Sequence, residues 1–289
     1  MKPRDASRTG GATSSDLDLD LGGDRHLTSL LMRDSLLSEA TQRSTETEVV
    51  RLLPFAKTVK IGGRSIIDHG RSRVGPLLDE VVGALGTNRL VIGAGAGVRS
   101  RHVFGVGLDL GLPTGVLATL AAADAEQNAH MLAALLAPHG VVALPPAQVI
   151  HLLPLLLTAG TGVVVNGMPP FELWEHPPAL GRIPPNRTDT GMFLLSEVYG
   201  VSRVIYVKDV DGLYDADPKL HPEARLIRRI EVAELLSDRP VTLPFDDLVL
   251  QLLPHARHCR EVQIVNGTEP GELTKALAGE DVGTVIVGG

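Results

Sequence analysis

Thr58-Val59-Lys60-Ile61-Gly62-Gly63 and Val207-Lys208-Asp209-Val210-Asp211-Gly212-Leu213-Tyr214-Asp215-Ala216-Asp217-Pro218 are the two stretches on which the reading of this chain turns. Each is an apolar, strand-like run that ends in a lysine. In the first, paired glycines follow, and glycine lets a backbone turn sharply and come close to a bound anion. The lysine adds a point charge of the kind that holds phosphate. In the second, the lysine is followed by aspartates and a Gly-Leu-Tyr turn. Functional loops of open α/β folds lie just beyond the carboxyl ends of strands.

Outward from these stretches, short apolar runs alternate with helical patterns. Residues 58–61, 89–92, 141–144, 162–165, 203–207, 261–265 and 284–287 read as strands. Residues 73–85 read as a helix with Val74, Leu77, Leu78, Val81 and Val82 on one side, and 121–136 and 190–199 as two more. Strands alternating with helices predict a three-layer αβα sandwich with a mainly parallel central sheet. No internal repeat interrupts the pattern. Residues 1–50 stand apart as a flexible N-terminal arm. Its first part is rich in Gly, Ser, Thr and Asp, and Leu27, Leu30, Leu31 and Leu37 then recur at helical spacing, suited to packing on a neighbouring subunit.

The bulk composition narrows the function. Hydrophobic residues make up 44 % of the 289 but aromatics only 3 %, so the core is built from Leu, Val, Ile and Ala, as in buried parallel sheets. A net charge of -7 gives no basic footprint for nucleic acid. An acidic chain that binds an anion has to gather its cations locally. One cysteine, Cys259, excludes an intramolecular disulfide framework. No apolar run is long enough for a membrane span and no secretory leader is visible, so the expected compartment is the cytoplasm.

A second glycine cluster, Gly93-Ala94-Gly95-Ala96-Gly97, follows the 89–92 strand, with Arg99, Arg101 and His102 just beyond. Glycine clusters are also ordinary tight turns. Two of them at strand ends, each beside cations, favour an anion cradle. Neither the Rossmann spacing nor a P-loop is present. Asp189, in Arg187-Thr188-Asp189-Thr190 at the start of a helix, reads from the residues alone as a helix N-cap. Lys208 reads as a surface lysine or, by its strand-end place, as a phosphate ligand.

The lysine-glycine pair, Thr188-Asp189-Thr190, the Lys208 to Pro218 run and a C-terminal order of strand, turn, helix and strand together resemble the amino-acid kinase family, close to the bacterial uridylate kinases. The resemblance covers about residues 52–287 and makes 51–289 one kinase-like domain. It implies a nucleotide site for ATP with Mg2+. Lys60, Asp189 and Lys208 are then the catalytic groups, and Lys60, Gly62, Gly63, Gly95, Lys208, Asp211, Tyr214 and Asp217 hold the nucleotide.

The chain departs from a nucleotide kinase where the acceptor would bind. A proline-rich insertion, residues 172–187, carries the only tryptophan and stiffens the approach to Asp189. In the acceptor helix only Asp124 of Asp124-Ala125-Glu126-Gln127-Asn128-Ala129-His130-Met131-Leu132 fits a uridylate kinase. These departures resemble the molybdenum-storage branch of the family, and its β-type more than its α-type subunits. That resemblance implies an α3β3 hexamer with an α-type paralogue. It also implies a slow ATPase activity linked to loading molybdate or tungstate as polynuclear oxide clusters. The alternatives are a UMP kinase making UDP and a non-hydrolysing, structural ATP-binding subunit.

No His/Cys pattern has zinc-ligand spacing, and lone histidines more often pack than ligate. The exception is one helix face. Glu126, Gln127 and His130 fall at neighbouring helical positions and offer a carboxylate, an amide and an imidazole to an oxide cluster. His139 and His151 are weaker candidates, and His255 and His258 are expected to pack on a C-terminal helix.

Overall fold

The computed structural model describes residues 49–169, 175, 177–216, 220–221, 223–237 and 243–289. The proposed arm lies almost wholly outside them, as does Asp217. The strands are β1 (Ala56–Ile61), β2 (Arg89–Ala94), β3 (Val141–Ala143), β4 (Gly162–Asn166), β5 (Arg203–Lys208), β6 (Leu213–Tyr214), β7 (Leu226–Ile227), β8 (Arg229–Glu231), β9 (Glu261–Asn266) and β10 (Thr284–Val287). The helices are α1 (Arg71–Leu85), α2 (Arg99–Asp109), α3 (Thr114–Leu136), α4 (Pro146–Ala159), α5 (Thr188–Tyr199), α6 (Val232–Ser237), α7 (Leu248–Leu252) and α8 (Glu272–Ala278).

The main sheet runs β3-β4-β2-β1-β5-β9-β10-β8, and β6 pairs with β7 in a small antiparallel hairpin. All main-sheet neighbours are parallel except β9 and β10. This is the expected αβα sandwich with a mainly parallel central sheet.

The two faces follow from the period-2 alternation of a strand. Val59 and Ile61 of β1, Leu90 and Ile92 of β2 and Ile205 and Val207 of β5 pack with α1, α3 and α8. Val91, Val163 and Val165 pack on the opposite face with α4 and α5. Val204 and Tyr206 share that second face with Phe193 of α5 and with α6 and α7. Lys60 and Lys208 are in phase with this second set. In the β1–β5 register Lys60 lies opposite Tyr206, so both ammonium groups emerge on the α5 side, at the carboxyl ends of neighbouring strands.

Several elements differ from the sequence reading. The 121–136 helix begins earlier, at Thr114, because small residues let α3 pack closely on α2. A Cβ on Gly107 would stand 2.4 Å from Leu117 Cδ2. The sequence reading has no counterpart of α4. Val149, Leu153 and Leu157 are buried with Leu152 and Leu156 beside them, while the apolar Ile150 and Leu155 face outward and Pro154 sits inside the helix. His255 and His258 do not share a helix face. His255 closes a 3-10 turn at Leu253–His255, and the backbone N–H of His258 donates to the Glu197 carboxylate. Among the described residues no helix is long and apolar enough to cross a membrane.

Candidate functional site

The site forms where the loops after β1, β2 and β4 meet the first turn of α5. A Cβ on Gly63 would lie 2.2 Å from the Gly97 nitrogen, and one on Gly95 would lie 2.5 Å from the Gly63 nitrogen and 3.2 Å from Lys60 Nζ. Gly97 also has φ +80°, a left-handed conformation. The two glycine clusters are therefore one structure, packed backbone to backbone. The N–H of Gly62 donates to Val207 O and that of Gly95 to Ile61 O. What these two glycines offer a ligand is close approach rather than free donors. On the other side, a Cβ at Gly191 would overlap Gly167 O at 2.0 Å, so α5 starts directly against the loop after β4.

Helix α5 delivers Asp189 between the two strand-end lysines. Lys60 Nζ stands 2.5 Å from Asp189 Oδ1, and Lys208 Nζ donates to Oδ2 at 2.8 Å. All three side chains are more than nine-tenths buried. Burial pushes the Asp189 carboxyl up, but Lys208 and Lys60 outweigh it and hold it well below the usual carboxylate range. Burial depresses Lys208 to about 8, against the opposing pull of Asp189. Tyr206 OH donates to the Asp189 carbonyl at 2.9 Å, and the ring stacks on Phe245 at 5.9 Å. Farther along α5, the hydroxyls of Ser196 and Thr58 meet at 2.7 Å and tie the helix to β1.

Asp189 does not cap its own helix. Asp246, distant in sequence, does so: its Oδ2 accepts from the N–H groups of Asp189 at 3.1 Å and Thr190 at 3.3 Å. Its Oδ1 pairs with Arg187 Nη2 at 2.9 Å. Burial and the neighbouring Asp189 raise the Asp246 carboxyl, while Arg187, Lys60 and Lys208 pull it down. Asp246 and Arg187 are site residues that the sequence reading missed. Arg187 was visible beside Asp189, but the contact that gives it meaning spans the chain.

Above this centre opens a cleft of about 720 Å³, a size suited to a small-molecule ligand. Lys60, Gly62, Gly63, Gly95, Asp189, Lys208 and Tyr214 line it, with Arg64, Arg101 and Arg187 as further cations. Phe104, Met168 and Ile183 give it an apolar wall. Asp211 does not line the cleft. It braces the rim by accepting from Asn266 Nδ2 at 2.7 Å and Tyr214 OH at 2.8 Å. Arg99 turns away to Asn128, whose Nδ2 donates to Gly95 O at 2.6 Å, so it braces the second glycine cluster. Burial raises the carboxyl of Asp124, on α3, against the pull of Arg99. Buried cations, close backbone and more cations toward the mouth suit a polyanion with an apolar or neutral portion.

The second group of candidates lies elsewhere. Glu126, Gln127 and His130 sit on α3 away from the cleft, and His130 Nε2 is 3.8 Å from Glu126 Oε1. Gln127 and His130 are exposed and Glu126 is half-buried. Among the described residues no group of three His, Cys, Asp or Glu side chains within this one chain could hold a metal ion.

Comparison with known proteins bears on the family and the fold. The model of the amino acid kinase family matches residues 58–266. The chain is 49 % identical over 265 residues to the molybdenum storage protein subunit beta of Azotobacter vinelandii, covering 90 % of this chain and 96 % of that one. It is 28 % identical to the uridylate kinase of Methanothermobacter thermautotrophicus, covering 79 % and 97 % of the two chains. The crystal structure of uridylate kinase from Archaeoglobus fulgidus superposes with a TM-score of 0.62 at 22 % identity, over 80 % of this chain and all of that one. At that identity the likeness speaks for the fold alone.

Proposed function

The chain belongs to the amino acid kinase family, and on that premise we propose that it is the β-type subunit of a molybdate-storing assembly. In this reading it binds ATP in the strand-end cleft and couples ATP binding and hydrolysis to molybdate loading, with the metal held as polynuclear oxide clusters. The observation that carries the reading is the similarity to a molybdenum storage subunit over nearly the whole of both chains. Tungstate, a tetrahedral dianion like molybdate, would enter by the same route. An α-type paralogue would complete an α3β3 hexamer.

The residues of the cleft supply the nucleotide chemistry. Lys60 and Lys208 are point charges for phosphate oxygens, and Asp189 holds the two ammonium groups in place while limiting their mutual repulsion. The glycine backbones allow the phosphates to approach closely. A cation cage built from protein alone does not fit here. Both Asp189 oxygens face lysines, and both Asp246 oxygens are engaged by Arg187 and the start of α5. Mg2+ would therefore arrive on the nucleotide, ligated by phosphate oxygens and water, and shield phosphate charge there. The proline-rich insertion at residues 172–187 and the altered helix around Asp124 depart from a UMP kinase and favour hydrolysis over transfer to UMP.

The test is elemental analysis of the chain co-expressed with an α-type paralogue and loaded with ATP and molybdate. Many molybdenum or tungsten atoms per assembly are expected, with no appreciable UDP made from UMP. UMP turnover of about 1 per second or more, with no bound metal, would overturn the storage reading in favour of a kinase.

A further inference from the structure

The Arg187–Asp246 pair is built unequally. The Arg187 side chain is 51 % exposed and lines the cleft, whereas the Asp246 side chain is 10 % exposed and fixed from below. Asp246 divides its two oxygens between two tasks. Oδ2 accepts from the first turn of α5, and Oδ1 meets only Arg187 among the described contacts. Both buried lysines are already turned toward Asp189. Arg187 is thus a cation of this centre with room to move.

We infer that Arg187 is a phosphate-binding arm held by Asp246 until a nucleotide arrives, and that its transfer to the phosphates leaves Asp246 Oδ1 to take up a proton from solvent. This rests on the reading of the cleft as an ATP site. The driving force is geometric. A guanidinium binds phosphate through two parallel N–H donors, and the incoming polyphosphate carries more charge than one carboxylate. What remains behind is a buried carboxylate without its cation, close to a second carboxylate, Asp189. Such a group neutralises rather than stay charged. The proton goes to the oxygen that Arg187 vacates, and the other oxygen continues to cap α5. The groups around Asp246 are Asp189 on α5, Lys60 on β1, Lys208 and Tyr206 on β5, Arg187 ahead of α5, and Asp247 beside it in the chain. Desolvation and Asp189 already bias Asp246 toward its neutral form, and loss of Arg187 removes an opposing influence.

The experiment is calorimetric titration of ATP into the assembled protein in two buffers of different ionisation enthalpy. The pH should lie well below the value of about 8 at which Lys208 titrates. Wild type is expected to take up protons, up to about one per nucleotide. Asp246→Asn removes the acceptor. Arg187→Gln leaves Asp246 without its guanidinium before nucleotide binds, so both variants should take up fewer protons. Arg187→Gln should also bind ATP roughly tenfold more weakly or worse. Wild-type proton uptake in Asp246→Asn overturns the inference, as does wild-type affinity or uptake in Arg187→Gln. Should Asp246→Asn not fold, Arg187→Gln decides alone, since its side chain is half exposed. Failure of the wild type to bind ATP at all would sink both the inference and the reading beneath it. ATP binding with unaltered uptake in the variants sinks only the inference.

Discussion

The cleft and the outer face of α3 are two ways of gathering polar groups, and they differ in what holds them. Lys60, Asp189 and Lys208 come from three separate elements, are nearly fully buried, and have their positions set by one another. Glu126, Gln127 and His130 come from a single helix, look outward, and share one contact of 3.8 Å. The first arrangement is complete within one chain. The second offers too few donors for a polynuclear oxide unless symmetry brings copies together. Burial made the first expensive to assemble and hence specific; exposure leaves the second cheap to alter.

The sharpest way to break this contrast is Asp189→Ala. It leaves two buried ammonium groups without their counter-charge, and loss of one partner from a buried ion pair costs about 3–5 kcal/mol. Urea unfolding should show a loss of that order. A loss within about 0.5 kcal/mol, the range of surface substitutions, would mean that the lysines do not depend on Asp189.

A middle-sized effect sharpens the electrostatic side of the comparison. Lys208 is depressed by burial to about 8, with Asp189 opposing. Below that pH the free protein carries the charge; above it the proton must be taken up on binding phosphate. ATP affinity should therefore fall as pH rises through about 8, by up to about tenfold per pH unit. Arginine does not titrate in this range, so Lys208→Arg should flatten the dependence. An equally steep fall in that variant would assign it to another group.

The smallest effect on the fold is expected from His130→Ala. Stability should stay within about 0.5 kcal/mol and assembly should be intact, while bound molybdenum falls. Wild-type metal content in an assembled mutant would make His130 an ordinary surface histidine. The two regions would then differ only in burial.

What could be read in the sequence follows the same division. Lys60, Lys208 and the glycines were legible because strand, turn and charge lie within a few residues of one another. The role of Asp189 needed a family resemblance, since the same string also describes a helix cap. Asp246 was not legible. It sits after a proline in a stretch with no periodicity, and its partners on α5 are 56 and 57 residues away. Helix α4 was missed for a different reason. Val149, Leu152, Leu153, Leu156 and Leu157 do recur at helical spacing, but Pro154 inside the run and the apolar, outward-facing Ile150 and Leu155 mask the stripe. The 172–187 insertion was legible mainly as a departure from a pattern.

Thr284, at the start of β10, carries a further consequence. Its hydroxyl accepts from the Leu213 N–H at 2.8 Å and donates to the Ile227 carbonyl at 2.6 Å, clasping the hairpin that bears Tyr214. A Cβ on Gly212 would sit 2.2 Å from that oxygen, so the neighbouring glycine is what admits the clasp. On a ribosome, Thr284 emerges 71 residues after Leu213. At ordinary elongation rates of about 5–20 residues per second, the hairpin waits on the order of several seconds for its fastener.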